Sequence, residues 1–265
     1  SKVTRRSRTE RIGGAITALV QGRHQQPHDL LGQHLEPGGL RIRVLKPLAQ
    51  SVQVRFEDGV TLDLAHEAEG VWTAVRADAE RTMDYRLAVA WADGIEHVQD
   101  DPYRFAPTLG EVDLHLVNEG RHELLWTVLG SRLHEYDGPM GPVKGVAFAV
   151  WAPRAKAVRV IGDFNDWDGR IHPMRMLGGS GVWELFVPDV GVGNIYKYEI
   201  RGADDVVRTK ADPMARRTEC PPNTGSVVDA SGHEWGDAQW MEQRAQSNPH
   251  TGPMSPYEVH LGSWR

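Results

Sequence analysis

From Gly39 onward, apolar residues recur at every second position. Leu40, Ile42 and Val44 alternate with arginines. Val52, Val54 and Phe56 follow, then Trp72 and Val75, then Tyr85, Leu87, Val89 and Trp91. A period of two places one row of side chains on one face of a pleated ribbon, so each run predicts a half-buried strand. Asp58-Gly59 and Asp93-Gly94 punctuate the runs as hairpin turns. Short strands at this spacing predict an antiparallel sandwich. At Gly145 the pattern restarts, with Val146, Phe148 and Val150, then Val158 and Val160, then Trp183, Leu185 and Val187, then Tyr196, Tyr198 and Ile200. Ahead of all this, Thr9 to about His24 has helical spacing, with Ile12, Ala15, Ile16, Leu19 and Val20 on one face and Gly13-Gly14 weakening the helix. Pro27 opens a second short segment anchored by Leu30, Leu31 and Leu35.

The second run of strands repeats the first. Gly39, Pro47 and Val54 match Gly145, Pro153 and Val160 at one constant offset, 106 residues. Further on, Gly70-Val71-Trp72 matches Gly181-Val182-Trp183, Tyr85 matches Tyr196 and Asp101-Pro102 matches Asp212-Pro213, all at 111 residues. The second copy therefore carries five extra residues between Val160 and Gly181. That interval holds Gly162-Asp163-Phe164-Asn165-Asp166-Trp167. A loop lengthened on a rigid scaffold is where function tends to sit.

These patterns divide the chain into a leader with short helices (1–35), a first β-sandwich (36–108), a connector (109–140), a second β-sandwich (141–230) and a tail (231–265). The connector is read as helical or irregular, carrying Leu124, Leu125, Val128 and Leu129. His122-Glu123 does not start a zinc-protease helix, because Trp126 stands where that motif needs histidine. In the tail, Glu234 to Arg244 predicts a short amphipathic turn, and a Pro/Gly-rich linker, Asn248–Pro256, leads to Tyr257-Glu258-Val259-His260-Leu261-Gly262-Ser263-Trp264. A linker followed by one strand predicts the front part of a longer protein, with that strand the first of a further domain.

Composition narrows the functions. The 265 residues are 40% hydrophobic, enough for two cores, and the net charge of −6 argues against a general nucleic-acid binder. The basic start, Ser1–Arg8, lacks the apolar run of a secretory signal and reads as a disordered leader, with nucleic-acid contact a minor alternative. No stretch approaches the ~20 apolar residues of a membrane span. Cys220 is the single cysteine, so no internal disulfide is possible and a reducing compartment fits. Its Glu219-Cys220-Pro221-Pro222 context reads as a loop with an inert thiol.

An aromatic beside amides and carboxylates suits sugars. The C–H face of a pyranose packs on an indole while its hydroxyls seek polar groups at the ring's edge, a contact of roughly 1.5–3 kcal/mol. One such platform supports affinities from about millimolar to tens of micromolar, useful when a polymer is held at many sites. The competing reading of Trp167 is a core residue capping the end of the sandwich. Phe164 and Trp183 lie on or near strand patterns and are assigned to the core. Asp163, Asn165, Asp166 and Asp168 lack the fixed spacing and glycine of a calcium loop, and turn formation is the commoner task of Asp and Asn. No phosphate loop, Ser-His-Asp signature, Cys/His metal cluster or glycosidase carboxylate pair is recognisable.

Phe148-Ala149-Val150-Trp151-Ala152-Pro153, Val160 to Trp167, Gly181-Val182-Trp183-Glu184, Tyr196-Lys197-Tyr198-Glu199-Ile200 and Lys210-Ala211-Asp212-Pro213 together resemble the family-48 carbohydrate-binding module. The ending Tyr257–Arg265 and the stretch Glu119-Gly120-Arg121-His122 resemble bacterial glycogen branching enzymes of the long form, which place a first sandwich ahead of that module. The resemblance implies a mainly β chain, two tandem immunoglobulin-like β-sandwiches followed by the first strand of a TIM barrel that lies outside this sequence. It implies an α-1,4-glucan (glycogen) partner, cleavage and transfer that make α-1,6 branches by a retaining mechanism, contact between this chain and the catalytic barrel, and a cytoplasmic location. It implies no metal, no organic cofactor and no catalytic residue here, so this chain alone is expected to be inactive; the first sandwich, without the long loop, is expected to act as a spacer that sets chain reach or barrel orientation. Trp167 and Lys197 fall on the positions that touch glucan in related modules. The hairpin Arg201-Gly202-Ala203-Asp204-Asp205 lacks the second stacking Trp of some relatives. A free-standing glucan-binding module and the front part of a debranching or trehalose-releasing hydrolase are the alternatives.

Overall fold

A computed structural model describes residues 8–263 except Pro249. The basic leader Ser1–Ser7 and the final Trp264-Arg265 lie outside the described residues.

The described residues up to Ala230 form one compact unit. Helix α1 (Arg8–Val20) leads to strands β1 (Gly32–Glu36), β2 (Gly39–Leu45), β3 (Ser51–Phe56), β4 (Thr61–Asp63), β5 (Ala65–Ala68), β6 (Val71–Arg76), β7 (Tyr85–Ala90) and β8 (Glu96–Gln99). Helix α2 (Glu111–Asn118) follows, then β9 (Gly130–Tyr136), β10 (Val143–Trp151), β11 (Ala157–Gly162), β12 (Arg175–Met176), β13 (Val182–Pro188), β14 (Ile195–Arg201), β15 (Val207–Lys210), β16 (Arg217–Thr218) and β17 (Ser226–Val227). The first sandwich stacks the sheet β1-β2-β6-β5 on β4-β3-β7-β8; the second stacks β12-β13-β10-β9 on β11-β14-β17-β16, with β15 also on β14. Every ladder is antiparallel.

The repeat read from the sequence is a repeat of structure. The pairings β2·β6 and β3·β7 recur as β10·β13 and β11·β14. Gly70 and Gly181 have φ of +89° and +75°, and a Cβ on either would stand 2.8 or 2.7 Å from the Cα of Pro47 or Pro153. Only glycine meets both the backbone sign and the close approach. Each glycine carbonyl then accepts from the strand-end amide beside it, Lys46 N and Ala152 N, both at 2.8 Å. Indole Nε1 of Trp72 donates to Lys46 O at 3.3 Å, and that of Trp183 to Ala152 O at 3.1 Å. Tyr85 and Tyr196 each donate a 2.6 Å hydrogen bond, to Asp101 and Asp212 respectively. Burial raises the pKa of both carboxyls, and the tyrosine hydrogen bonds oppose that rise.

Three expectations change. The leader is not separate from the sandwiches. Ile16, Leu19, Leu30 and Leu31 are buried in the core of the second sandwich, among Phe148, Val160, Trp183 and Tyr196. Met176 N donates to Gln25 O at 2.9 Å, so the leader also extends the edge beyond β12. Gly32–Glu36 is a strand, and Leu35, expected as an anchor, is exposed on it. The connector ends in β9, an edge strand that the sequence concealed because Leu133 points to solvent instead of following an inward row. Leu45, Val71 and Tyr103 of the first sandwich belong to the same buried cluster as the second sandwich's core.

The described residues from Ser231 onward form a separate unit. Its helix α3 (Ala238–Gln246) is exposed on all sides, with the Arg244 guanidinium 5.3 Å from the centre of the Trp240 ring. The barrel strand expected at Tyr257–Arg265 is not formed among its described residues. Tyr257–His260 belongs to no sheet and Leu261–Ser263 is a 3-10 turn. A strand is made by its ladder, and one segment cannot supply both sides of it.

Candidate functional site

The added loop begins where β11 ends. Gly162 pairs with Tyr196 in the ladder, and the chain then turns through the 3-10 segment Asp163–Asn165. Asp163 is a clamp: it accepts from Asn194 Nδ2 at 2.8 Å and from Ile195 N at 3.1 Å, tying the loop to the start of β14. Asn165 is buried. Its Oδ1 accepts from Gly162 N at 2.9 Å, and its Nδ2 donates to Val160 O at 3.0 Å and to His172 Nδ1 at 2.9 Å. Asp168 accepts a forked pair from Arg170. The polar residues are therefore largely turn builders, as their types predicted. Phe164 stacks on Phe148 at 5.6 Å and Trp183 is fully buried, so both belong to the core.

Trp167 is different. It is 42% exposed, so it does not cap the core. Asp166 and Trp167 have φ of +53° and +60°, two successive non-glycine residues in the left-handed region. A bulky residue held there, with its amide donating to Gly162 O at 2.9 Å, adopts its backbone at some conformational cost. Lys197 sits opposite Ile161 on β14, between the buried Tyr196 and Tyr198, so alternation places it on the outer face. Its Nζ donates to Thr224 Oγ1 at 2.6 Å, which leaves two of the three ammonium donors for another acceptor. Trp167 and Lys197 stand at the same end of one strand pair, and among the described residues no hydrogen bond or cation–π contact joins them. The elements thus offer an exposed indole on the loop that follows β11 and a cation on the outer face of β14. Among the described residues no group of three or more His, Cys, Asp or Glu is placed to hold a metal ion, and no helix is long and apolar enough to cross a membrane. Cys220 is exposed.

His172, which no motif or spacing singles out in the sequence, packs against the loop at Asn165. Burial, with Lys46 nearby as a lesser cause, lowers its pKa from 6.5 to about 3. The folded chain thus holds it neutral while the unfolded chain protonates it below pH 6.5, so its stability contribution is complete above pH 6.5 and is lost as pH falls toward 3. Across that window wild type should lose up to about 1.4 kcal/mol per pH unit more than His172→Gln. Urea midpoints at pH 7, 6 and 5 check this; parallel slopes for the two proteins would refute it.

Comparison with known proteins bears on both halves. Residues 129–215 match the family model "Carbohydrate-binding module 48 (Isoamylase N-terminal domain)". Residues 13–103 match "alpha-1,4-glucan branching enzyme GlgB, N-terminal domain". Over these two stretches the chain is similar to the amino-terminal domain of GlgB and to carbohydrate-binding module 48. It is 53% identical over 250 residues to the 1,4-alpha-glucan branching enzyme GlgB of Rhodococcus jostii (strain RHA1), covering 94% of this chain and 34% of that protein. It is 54% identical over 257 residues to the GlgB of Thermobifida fusca (strain YX), covering 97% of this chain and 34% of that one. The chain thus spans about a third of the length of the curated relatives it matches. The first match ends at Tyr103, just past the Asp101-Pro102 corner, and the second starts at Leu129 on the approach to β9, so helix α2 lies in neither match.

Proposed function

We propose that this chain is the non-catalytic, glucan-holding and positioning part of a 1,4-alpha-glucan branching enzyme. The observation that carries the reading is the 53% identity to the Rhodococcus jostii branching enzyme over 94% of the chain. In that reading the whole protein cuts an α-1,4-glucan and transfers the freed segment to a 6-hydroxyl, by a retaining mechanism in which two carboxylates act as nucleophile and acid/base. Those carboxylates belong to a catalytic barrel outside this chain, and the chain contacts that barrel. Its own residues bind: Trp167 stacks on a glucosyl ring and Lys197 donates to its hydroxyls or ring oxygen. Each contact is weak, and repeated engagement along a polymer raises retention. The proposed location is the cytoplasm.

Trp167→Ala should weaken retention of this chain on a native gel containing glycogen by about tenfold in apparent affinity, with the melting temperature unchanged. Testing the chain by itself removes the alternative that Trp167 serves only to pack on the barrel; equal retention of the two proteins would sink the binding role. For the whole protein, branching lowers iodine staining without a proportional release of reducing ends. Proportional release would mean a debranching hydrolase instead.

A further inference from the structure

A cleft of about 560 Å³ opens between the two sandwiches. Its first-sandwich side carries Lys46, Leu48, Trp91 and Gln99, and its second-sandwich side is the inner flank of the Asp163–Asp168 loop with His172. Two polar groups on its floor are more than nine-tenths buried and have donors to spare. Lys46, only 6% exposed, spends one N–H on Gln99 Oε1 at 2.8 Å. His172, 7% exposed, has a proton whose place can be derived. Gly162 N can only donate, so the amide oxygen of Asn165 faces it and the amide nitrogen faces His172 Nδ1. Nδ1 then accepts, and the neutral ring carries its proton on Nε2. That Nε2–H has no protein partner among the described residues.

The rim is apolar and strained. Leu48 is 78% exposed and has φ of +65°, a costly way to place a leucine unless it covers something. Trp91 stands in the same wall, half-buried against the first core. Asp166, also left-handed, sits at the mouth with Asp168. An anion would meet those carboxylates. A purely apolar ligand would leave the floor donors unpaired in a dry site, at a cost. A neutral polyol satisfies both, its hydroxyls taking the floor donors and its C–H face lying on Trp91.

We infer that this inter-sandwich cleft is a second carbohydrate site, distinct from the Trp167–Lys197 surface, which holds a short α-glucan segment on Trp91 with Lys46 and His172 donating to its hydroxyls. The choice of α-glucan among polyols rests on the branching-enzyme reading above. One loop then serves two sites: its outer corner presents Trp167, and its inner flank closes the cleft. A glucan strand held at both points is fixed in direction as well as in place.

Glycogen-gel retention of the chain tests this with Trp91→Ala and Leu48→Gly, each made in wild type and in Trp167→Ala. Trp91→Ala should lose about tenfold in apparent affinity in both backgrounds, the cost of one stacking platform. Leu48→Gly places glycine where its backbone is at ease, so it should fold and lose about threefold. If Trp91→Ala lowers the melting temperature, Leu48→Gly decides. Retention unchanged by both substitutions, while Trp167→Ala reduces it, overturns the cleft site and leaves the glucan reading standing. A wild-type chain that glycogen does not retain overturns both.

Discussion

Removing residues 1–31 should abolish the cooperative unfolding of the second sandwich. The deletion ends just before β1, so both sandwiches keep all their strands. What it removes is core. Ile16, Leu19, Leu30 and Leu31 are buried among second-sandwich side chains, with Leu31 fully so. Even at the low end of large-to-small losses, about 2 kcal/mol each, the four remove about 8 kcal/mol. A domain's whole stability is about 5–15 kcal/mol. Polar latches go as well: Arg201 Nε and Nη2 donate to Gly22 O and Gln21 O at 3.0 Å each, and Gln26 Nε2 donates to Met176 O at 2.6 Å. The truncated chain should melt at least about 15 °C lower or show no transition. Circular dichroism melts decide it, and a melting temperature within a few degrees of the full chain would refute the shared core. Leu31→Ala alone should move the same way, by about 2–5 kcal/mol. The consequence reaches function. The leader buttresses β12 and β14, and β14 carries Lys197, so trimming the leader should blunt glucan retention without touching the site.

Asp212→Ala is the polar substitution expected to cost most. Its carboxyl accepts from Tyr196 Oη at 2.6 Å, from Tyr198 Oη at 3.3 Å and from Met214 N at 2.8 Å. Both hydroxyls are buried, so removing their acceptor leaves them without partners, at about 1–3 kcal/mol each. The burial that raises the Asp212 pKa also means that the carboxyl itself is held at some expense, which returns part of the loss. A net destabilisation of about 3–4 kcal/mol follows. The origin can be isolated by a cycle: in a Tyr196→Phe background the same substitution should cost at least about 1 kcal/mol less, because one stranded hydroxyl is already gone. Equal costs in the two backgrounds would assign the effect to the cavity alone. Lys197 stands between the two tyrosines on β14, so this lock also fixes the strand from which the cation projects.

The sequence by itself determined the two sandwiches and their kinship. Period-two rows name strands because alternation is a property of the ribbon, independent of what it packs on. The repeat was legible because the matched residues are constrained by local geometry: Gly70 and Gly181 by a left-handed turn against a proline, Tyr85 and Tyr196 by one acceptor each. The loop Gly162–Trp167 was legible as an insertion for the same reason, and its Asp and Asn residues as turn builders by their type. Tertiary structure alone decided three things. It placed the leader in the second core, since a helix's apolar face does not say which surface covers it. It turned Trp167 outward, because exposure depends on backbone signs at Asp166 and Trp167 that no propensity favours. And it brought Lys46 of one sandwich to His172 of the other, a meeting of residues 126 positions apart that only the stacking of two domains could produce.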